Sequence, residues 1–225
     1  MSYQDIEQGS DAWRKIRLGK VTASRVHDVT ARIKSGWAAS RANYAAALIA
    51  ERLTGTVHAT YTNGAMEWGT DTEPQARAAY EFHTDTDVEQ IAFVDHPSIC
   101  MSGCSPDGLI GSDGLLEIKC PNTATHIATL LSAVPDKKYV LQVQWQMACT
   151  GRKWADLASF DPRLPPEMQL SVTRVDRDTD CIRELEIEVL KFLCELEVTL
   201  ERLRQRYQLR AQLEASVALA RTEAA

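Results

Sequence analysis

The chain has 225 residues, 44% of them hydrophobic and 25% charged, which suits one large soluble domain with a sizeable core. No apolar run is long enough to cross a membrane and the polar start MSYQDIEQGSDAW is no signal peptide, so no membrane association and a cytoplasmic location are expected. The formal net charge of −6 argues against a surface that coats nucleic acid indiscriminately, yet leaves room for one local basic track.

Residues 10–18, SDAWRKIRL, read as a short helix capped by Ser10 and ended by Gly19. Thr22 or Ser24 then caps a second helix over residues 25–33. Its free N–H groups would suit a phosphate, and Arg17, across the glycine turn, could fork onto the same anion. Local sequence alone favours a plain surface arginine and an ordinary cap. Lys34-Ser35-Gly36-Trp37 is a basic loop with an aromatic, residues 40–54 form an alanine-rich helix stopped by Gly55, and residues 56–65 look irregular. Thr72 caps the next helix, with Glu73 and Pro74 in its first turn and Ala76, Ala79 and Tyr80 on its inner face. Glu73 reads either as a carboxylate complementing the helix dipole or as an acid facing the pair described next, with Asp71 and Glu67 as weaker rivals. Met66 is a core filler or an exposed wedge.

After a strand expected over residues 88–96 comes the most informative stretch, GCSPDGLIGSDGLLEIKCP, residues 103–121. It reads as two short strands joined by Gly111-Ser112-Asp113-Gly114, where glycine and Asp-Gly supply positive-φ positions. Folding about that turn sets Ile110 against Leu115, Leu109 against Leu116 and Gly108 against Glu117. A strict register then points Asp107 to the wrong face, so a bulge at residues 106–108 is expected to re-aim it. Alternation puts Glu117 and Lys119 on one face, with Leu116 and Ile118 in the core on the other. Two carboxylates that close would repel unless a cation sat between them, and hard oxygen ligands suit Mg²⁺. A lysine beside such a metal orients or deprotonates a water, the equipment of metal-assisted phosphodiester hydrolysis. Alone, the motif also fits a common turn and a solvated strand face.

Residues 122–133 and 138–150 read as helices, and residues 154–160 and 168–175 as strands completing a mixed sheet. Gln142, Gln144 and Gln146 step by two, so they cannot share one helical face; Gln142 with Tyr139 or Gln146 is the combination able to reach the site. Residues 181–207 form a long amphipathic helix with Val189, Leu193, Leu196, Leu200, Leu203 and Tyr207 as its apolar stripe, packed on the body or on a neighbouring subunit. Residues 1–207 are thus read as a single domain and residues 208–225 as a flexible tail. Cys100, Cys104 and Cys120 flank the motif, but no CxxC pair exists, and small buried hydrophobes are expected rather than a zinc or iron–sulfur site. No histidine has a metal-ligand spacing, and His27 reads as structural.

Several pieces together resemble the YqaJ-like viral recombinase family, the phage lambda exonuclease type. They are Gln8-Gly9-Ser10 with Trp13, Arg17 and Gly19; Thr22-Ala23-Ser24; Trp68-Gly69 with Glu73; Cys104-Ser105-Pro106-Asp107-Gly108-Leu109; Leu116-Glu117-Ile118-Lys119-Cys120-Pro121; and Gln142-Val143-Gln144. The resemblance implies an α/β restriction-endonuclease-like core, PD-(D/E)xK type, with a mixed central sheet flanked by helices. It implies Mg²⁺-dependent degradation of linear double-stranded DNA from 5′ ends, with Mn²⁺ as a substitute, giving mononucleotides and a 3′ overhang. It also implies a homo-oligomer, a trimeric ring, and a single-strand annealing protein as partner. By position, Asp107, Glu117 and the Ile118 carbonyl match metal ligands, Lys119 the catalytic lysine, and Glu73 and Gln142 supporting site residues. Arg17, Ser24 and Ser105 match a 5′-phosphate pocket, Met66 a wedge, and Lys34 a DNA-contacting arginine whose fork geometry a lysine lacks. Two rivals stand beside this reading: an endonuclease on the same core, and a catalytically silent DNA-end-binding scaffold.

Overall fold

The centre of the fold is a five-stranded mixed sheet with a helix on each face. The computed structural model describes residues 2–3, 6–57, 64–132 and 134–223, and the side chains of all these except 2, 66 and 209–223. The first elements are β1 (Ser2–Tyr3), α1 (Asp11–Arg17) and β2 (Val21–Thr22). A 3₁₀ turn and the four-residue α2 (Val26–Val29) follow, then a small hairpin of β3 (Arg32–Ile33) and β4 (Gly36–Trp37), and α3 (Ala39–Thr54). The expected helix over 25–33 is therefore broken after Val29. Neither Thr22 nor Ser24 caps a long helix, and the Thr22 side chain makes no cap hydrogen bond. Gly55 ends α3 at φ 67°, the left-handed stop anticipated there. Most of the stretch expected to be irregular, residues 58–63, lies outside the described residues.

Helix α4 (Gly64–Thr84) starts well before Thr72, with Pro74 inside it. Thr72 is buried mid-helix rather than capping. Then come β5 (Val88–Glu89), β6 (Phe93–Asp95), β7 (Ser102–Cys104), β8 (Gly108–Ile110) and β9 (Gly114–Lys119). The single strand expected over 88–96 is split, because β5 joins one sheet and β6 another. The chain continues with α5 (Thr123–Leu131), α6 (Lys137–Thr150), β10 (Trp154–Phe160), β11 (Leu170–Asp176) and α7 (Thr179–Glu223). Helix α7 runs on past Tyr207, where the apolar stripe had suggested an end.

The main sheet has the order β11-β10-β9-β8-β5, and a second sheet the order β1-β6-β7-β2. Strand β9 pairs parallel with β10 and antiparallel with β8. On one face, Leu109, Leu115, Ala155 and Leu157 pack against Val143 and Met147 of α6. On the other, Ile110, Leu116, Ile118, Ala158 and Phe160 pack against Ala76 and Tyr80 of α4. Tyr80 donates to Asp156 Oδ2 at 2.7 Å, and Arg174 closes on the same carboxylate, locking α4 to the sheet. Helix α7 lays Leu185, Val189, Phe192 and Leu196 on α2, α3 and α6, so its stripe packs on the body of its own chain. Tyr207 stands exposed beyond that contact.

The central hairpin pairs Gly108 with Leu116, Leu109 with Leu115 and Ile110 with Gly114. This is one residue out from the register expected. The loop is Gly111–Asp113 with Gly111 at φ 50°, and Gly114 is already in the strand. One more step along the observed ladder brings Asp107 opposite Glu117, so no bulge is needed to make the two meet.

Candidate active site

The cleft at the end of β9 is built by alternation. Glu117 and Lys119 leave the strand on the α6 side, and Leu116 and Ile118 on the α4 side, where they anchor the strand in core. Asp107, just before β8, accepts the Ile118 backbone N–H through Oδ2 at 2.6 Å. Gly108 after it is required by space: a β-carbon there would lie 2.1 Å from Val88 Cγ1. Gln8 donates to the carbonyls of Ile91 at 2.8 Å and Pro106 at 2.9 Å, holding the turn that presents Asp107.

Glu117 is buried, and both its oxygens are engaged. Lys119 Nζ donates to Oε1, Gln142 Nε2 donates to Oε1 at 2.5 Å, and Gln146 Nε2 donates to Oε2 at 2.5 Å. Gln142 and Gln146 are one turn apart on α6 and so share a face. Gln144 points elsewhere: it donates to the Asp176 carbonyl and accepts from the Asp178 N–H. Tyr139 lies beside Lys119, with Nζ 5.1 Å from its ring centroid. Gln146 was only an alternative in the sequence reading, and its i,i+4 relation to Gln142 was the signal for it.

The charges are unbalanced towards negative. Burial raises the Asp107 pKa well above the usual carboxylate range, and the Glu117 and Glu73 charges push it the same way. Glu73, at the cleft wall on α4, is also raised by burial and by Glu117, while Arg77, donating to Glu73 Oε1 at 2.6 Å, opposes the shift. Burial alone would lower the Lys119 pKa, but the Glu117 and Asp107 carboxylates outweigh it and hold the amine protonated. Asp107, Glu73, Ile118, Lys119 and Tyr139 border a cavity of about 480 Å³. Glu67 and Asp71 do not line it. Asp107 and Glu73 border this volume while Glu117 is buried beside Lys119 and does not line it; hard oxygens so placed fit a divalent ion such as Mg²⁺. Among the described residues no three His, Cys, Asp or Glu side chains form a ready-made metal cage. Mg²⁺ seldom uses one, since it takes one or two carboxylates and fills the rest with water and substrate phosphate. All six cysteines are free.

A second group lies where the Ser102–Cys104 strand ends. Arg17 NH1 donates to Ser105 Oγ at 2.9 Å, Trp13 Nε1 donates to the same oxygen at 3.0 Å, and Ser105 Oγ donates to the Ala92 carbonyl at 2.6 Å. The Arg17 guanidinium stacks 3.9 Å from the Trp13 ring centroid. It makes no ion pair among the described residues, and burial lowers its pKa to about 10. A half-buried cation with no paired carboxylate among the described residues is a site prepared for an anion. Ser24 is close in topology, because Thr22 pairs with Gly103, but its hydroxyl is exposed and reaches only Thr22 Oγ1 at 3.4 Å. The structure thus joins Arg17 to Ser105 and not to Ser24. Trp13 was a further member that spacing alone did not reveal. Lys34 stands at the exposed tip of the β3–β4 hairpin and touches none of these groups; the hairpin is held by Trp37 against Arg41, which binds Glu195 of α7. The Met66 side chain lies outside the described residues. His27 sits 3.5 Å from Asp28, away from the cleft.

A mixed sheet with an Asp at the entry to one strand of a hairpin and Glu-x-Lys on the other strand defines the restriction-endonuclease-like class of α/β core. The model of the YqaJ-like viral recombinase domain matches residues 12–153. The chain belongs to the YqaJ-like viral recombinase family, a family of phage-type nucleases. It is similar to an alkaline exonuclease, LHK-Exo, from Laribacter hongkongensis: 51% identity, 88% of this chain and 98% of that chain covered, TM-score 0.83. A second structure of LHK-Exo, in complex with dAMP, gives 50% identity, the same coverage and a TM-score of 0.84. A phage-related exonuclease from Haemophilus somnus 129PT shares the fold at 13% identity, with 82% of this chain and 96% of that chain covered and a TM-score of 0.66. Among curated proteins nothing matches.

Proposed function

We propose that this protein is a Mg²⁺-dependent exonuclease that degrades one strand of linear double-stranded DNA from its 5′ end in the cytoplasm, releasing 5′-mononucleotides and leaving a 3′ overhang for strand annealing. The observation that carries the reading is the pair of neighbouring sites: an Asp107–Glu117–Lys119 cluster for hydrolysis and, beside it, the uncompensated Arg17 guanidinium for a terminal phosphate. The likeness to an alkaline exonuclease supports it. Asp107, Glu117 and the Ile118 carbonyl would hold Mg²⁺ or Mn²⁺, which when bound supplies Lewis-acid polarisation of the phosphodiester and of the attacking water. Lys119 orients that water and offsets charge growing on the phosphate. Gln142 and Gln146 fix the Glu117 carboxylate, and Glu73 closes the cleft wall. Arg17 and Ser105, with Ser24 nearby, hold the 5′-phosphate so that one nucleotide is cut per cycle. Met66 parts the terminal base pair and Lys34 contacts the duplex.

Residues 1–207 form the nuclease domain, in our reading, and three copies form a ring around the DNA that hands its 3′ strand to a single-strand annealing protein. The deciding experiment is a gel assay on linear and covalently closed circular duplex, with Mg²⁺ and with EDTA. Loss of the linear DNA alone, and only with Mg²⁺, is the expected result. Cutting of the closed circle would make the protein an endonuclease, and no cutting of either would make it an end-binding scaffold.

A further inference from the structure

A second recess, of about 350 Å³, opens on the other side of Lys119. Lys119, Pro121 and Tyr139 border both this groove and the cleft, so the two recesses adjoin at the lysine. The groove is bordered by Leu157, Ala158 and Ser159 of β10, Thr173 of β11, Thr125 and Thr129 of α5, and Lys138 of α6. Its volume falls within the roughly 300–1,000 Å³ of small-molecule sites. None of the roles proposed above uses it.

We propose that this groove receives the nucleotide on the 3′ side of the scissile bond in the strand being cut; the assignment rests on the exonuclease reading. The sheet order decides the side. Asp107 enters β8, which lies on one flank of β9, while the groove is bordered by β10 on the opposite flank. Arg17 binds Ser105, two positions before Asp107, so the end-phosphate anchor is on the Asp107 flank. A strand held there by its 5′-phosphate crosses Asp107, Glu117 and Lys119 in that sequence, and its next nucleotide leaves over β10. Lys138 gives the groove a cation for the following phosphate. Its Nζ now lies 3.4 Å from Asp136 Oδ2, a pair about half exposed on both sides, and 4.6 Å from the Tyr139 ring centroid. Exposed pairs of that kind contribute little, so a phosphate can displace the carboxylate. A lining that mixes apolar side chains with serine and threonine suits a deoxyribose and a base face without selecting one base, as an exonuclease that accepts every sequence requires.

The test uses linear duplex with 5-iodo-2′-deoxyuridine as the second nucleotide of the 5′-phosphorylated strand, bound to full-length Lys119→Ala protein and irradiated. The expected adduct falls within residues 121–139. Alongside it, Ala128→Trp, at an exposed position on α5 that lines the groove, should lower kcat/KM at least tenfold on linear duplex while leaving the melting temperature unchanged. Lys138→Ala should lower it several-fold and flatten its salt dependence. An adduct confined to α1 or α4 while the wild-type protein degrades 5′ ends, or Ala128→Trp at the wild-type rate, would overturn the groove and leave the exonuclease standing. Wild-type protein that leaves 5′ ends intact would overturn the exonuclease reading and this assignment with it.

Discussion

Asp107 Oδ2 accepts the backbone N–H of Ile118, the residue between Glu117 and Lys119, at 2.6 Å. That bond ties the Asp107 side chain to the β9 backbone, and it fixes one carboxylate against the other without a bulge. The distance between the acids is therefore set by backbone rather than by free rotamers.

Lys119 pairs with the buried Glu117 carboxylate and borders the cleft, where an amine can serve the attacking water. Lys119→Ala should lower kcat by about 10²–10⁴-fold, the usual worth of a positioned proton-transfer or orienting group. Binding of 5′-phosphorylated duplex ends should stay within a few-fold, read by fluorescence anisotropy. A near-normal rate would remove the lysine from the mechanism.

Arg17 is expected to discriminate between ends. Arg17→Ala should reduce kcat/KM about 10–100-fold on 5′-phosphorylated duplex, as befits a charge-assisted bond of about 1.5–3 kcal/mol. On 5′-hydroxyl duplex it should do little. Equal losses on both substrates would show that the guanidinium does not read the phosphate.

Gln146, one helical turn from Gln142, carries a prediction of its own. Its amide is a donor to a buried carboxylate, so Gln146→Leu leaves Glu117 Oε2 without that bond. The loss should be about 1–3 kcal/mol in stability, read by urea unfolding, with activity reduced as well. Gln144→Leu should leave activity closer to wild type, because Gln144 serves the turn into α7.

Asp107→Asn should stabilise the protein while it inactivates it. The Asp107 pKa is raised in the fold, so its ionised form disfavours folding at neutral pH, and that penalty eases as pH falls through the raised value towards the unfolded one. Asparagine keeps an acceptor for the Ile118 N–H and drops the charge. In EDTA the melting temperature should rise by about 2–4 °C, the shift that roughly 1 kcal/mol produces in a domain of this size. Calorimetry with Mg²⁺ should show the stabilisation by metal lost.

His96 works in the opposite sense. It is buried against Trp145, its Nδ1 accepts from the Ser98 and Ile99 N–H groups, and burial lowers its pKa although Glu186 opposes the shift. Below about pH 6.5 the unfolded chain takes a proton that the folded one resists, so this residue removes stability as pH falls from 6.5 towards its folded pKa. The difference in unfolding free energy between wild type and His96→Asn should vary with pH in that window; a difference that does not vary would refute the assignment.

The chemistry-bearing residues were legible because alternation along a strand needs only the sequence of that strand. Register was not, since Gly111-Ser112-Asp113-Gly114 accommodates a loop of either three or four residues, and only packing decides between them. The start of α4 was hidden by Thr72-Glu73-Pro74, which has the local chemistry of a helix beginning. Tertiary burial of Thr72 overrides it. The split at residues 88–96 reflects strands of two and three residues, too short to carry a period. Ser24 and Lys34 were grouped with the site by likeness, and among the described residues no hydrogen bond joins either to Arg17 or to the cleft acids.

The contact between Gly108 and Val88 ties the tolerance of the site to a strand that performs no chemistry. Enlarging residue 108 would require residue 88 to shrink in the same step, so neither position can drift alone. In a saturation library the edge strand β5 should score as though it belonged to the cleft, and paired changes at the two positions should survive where either single change does not.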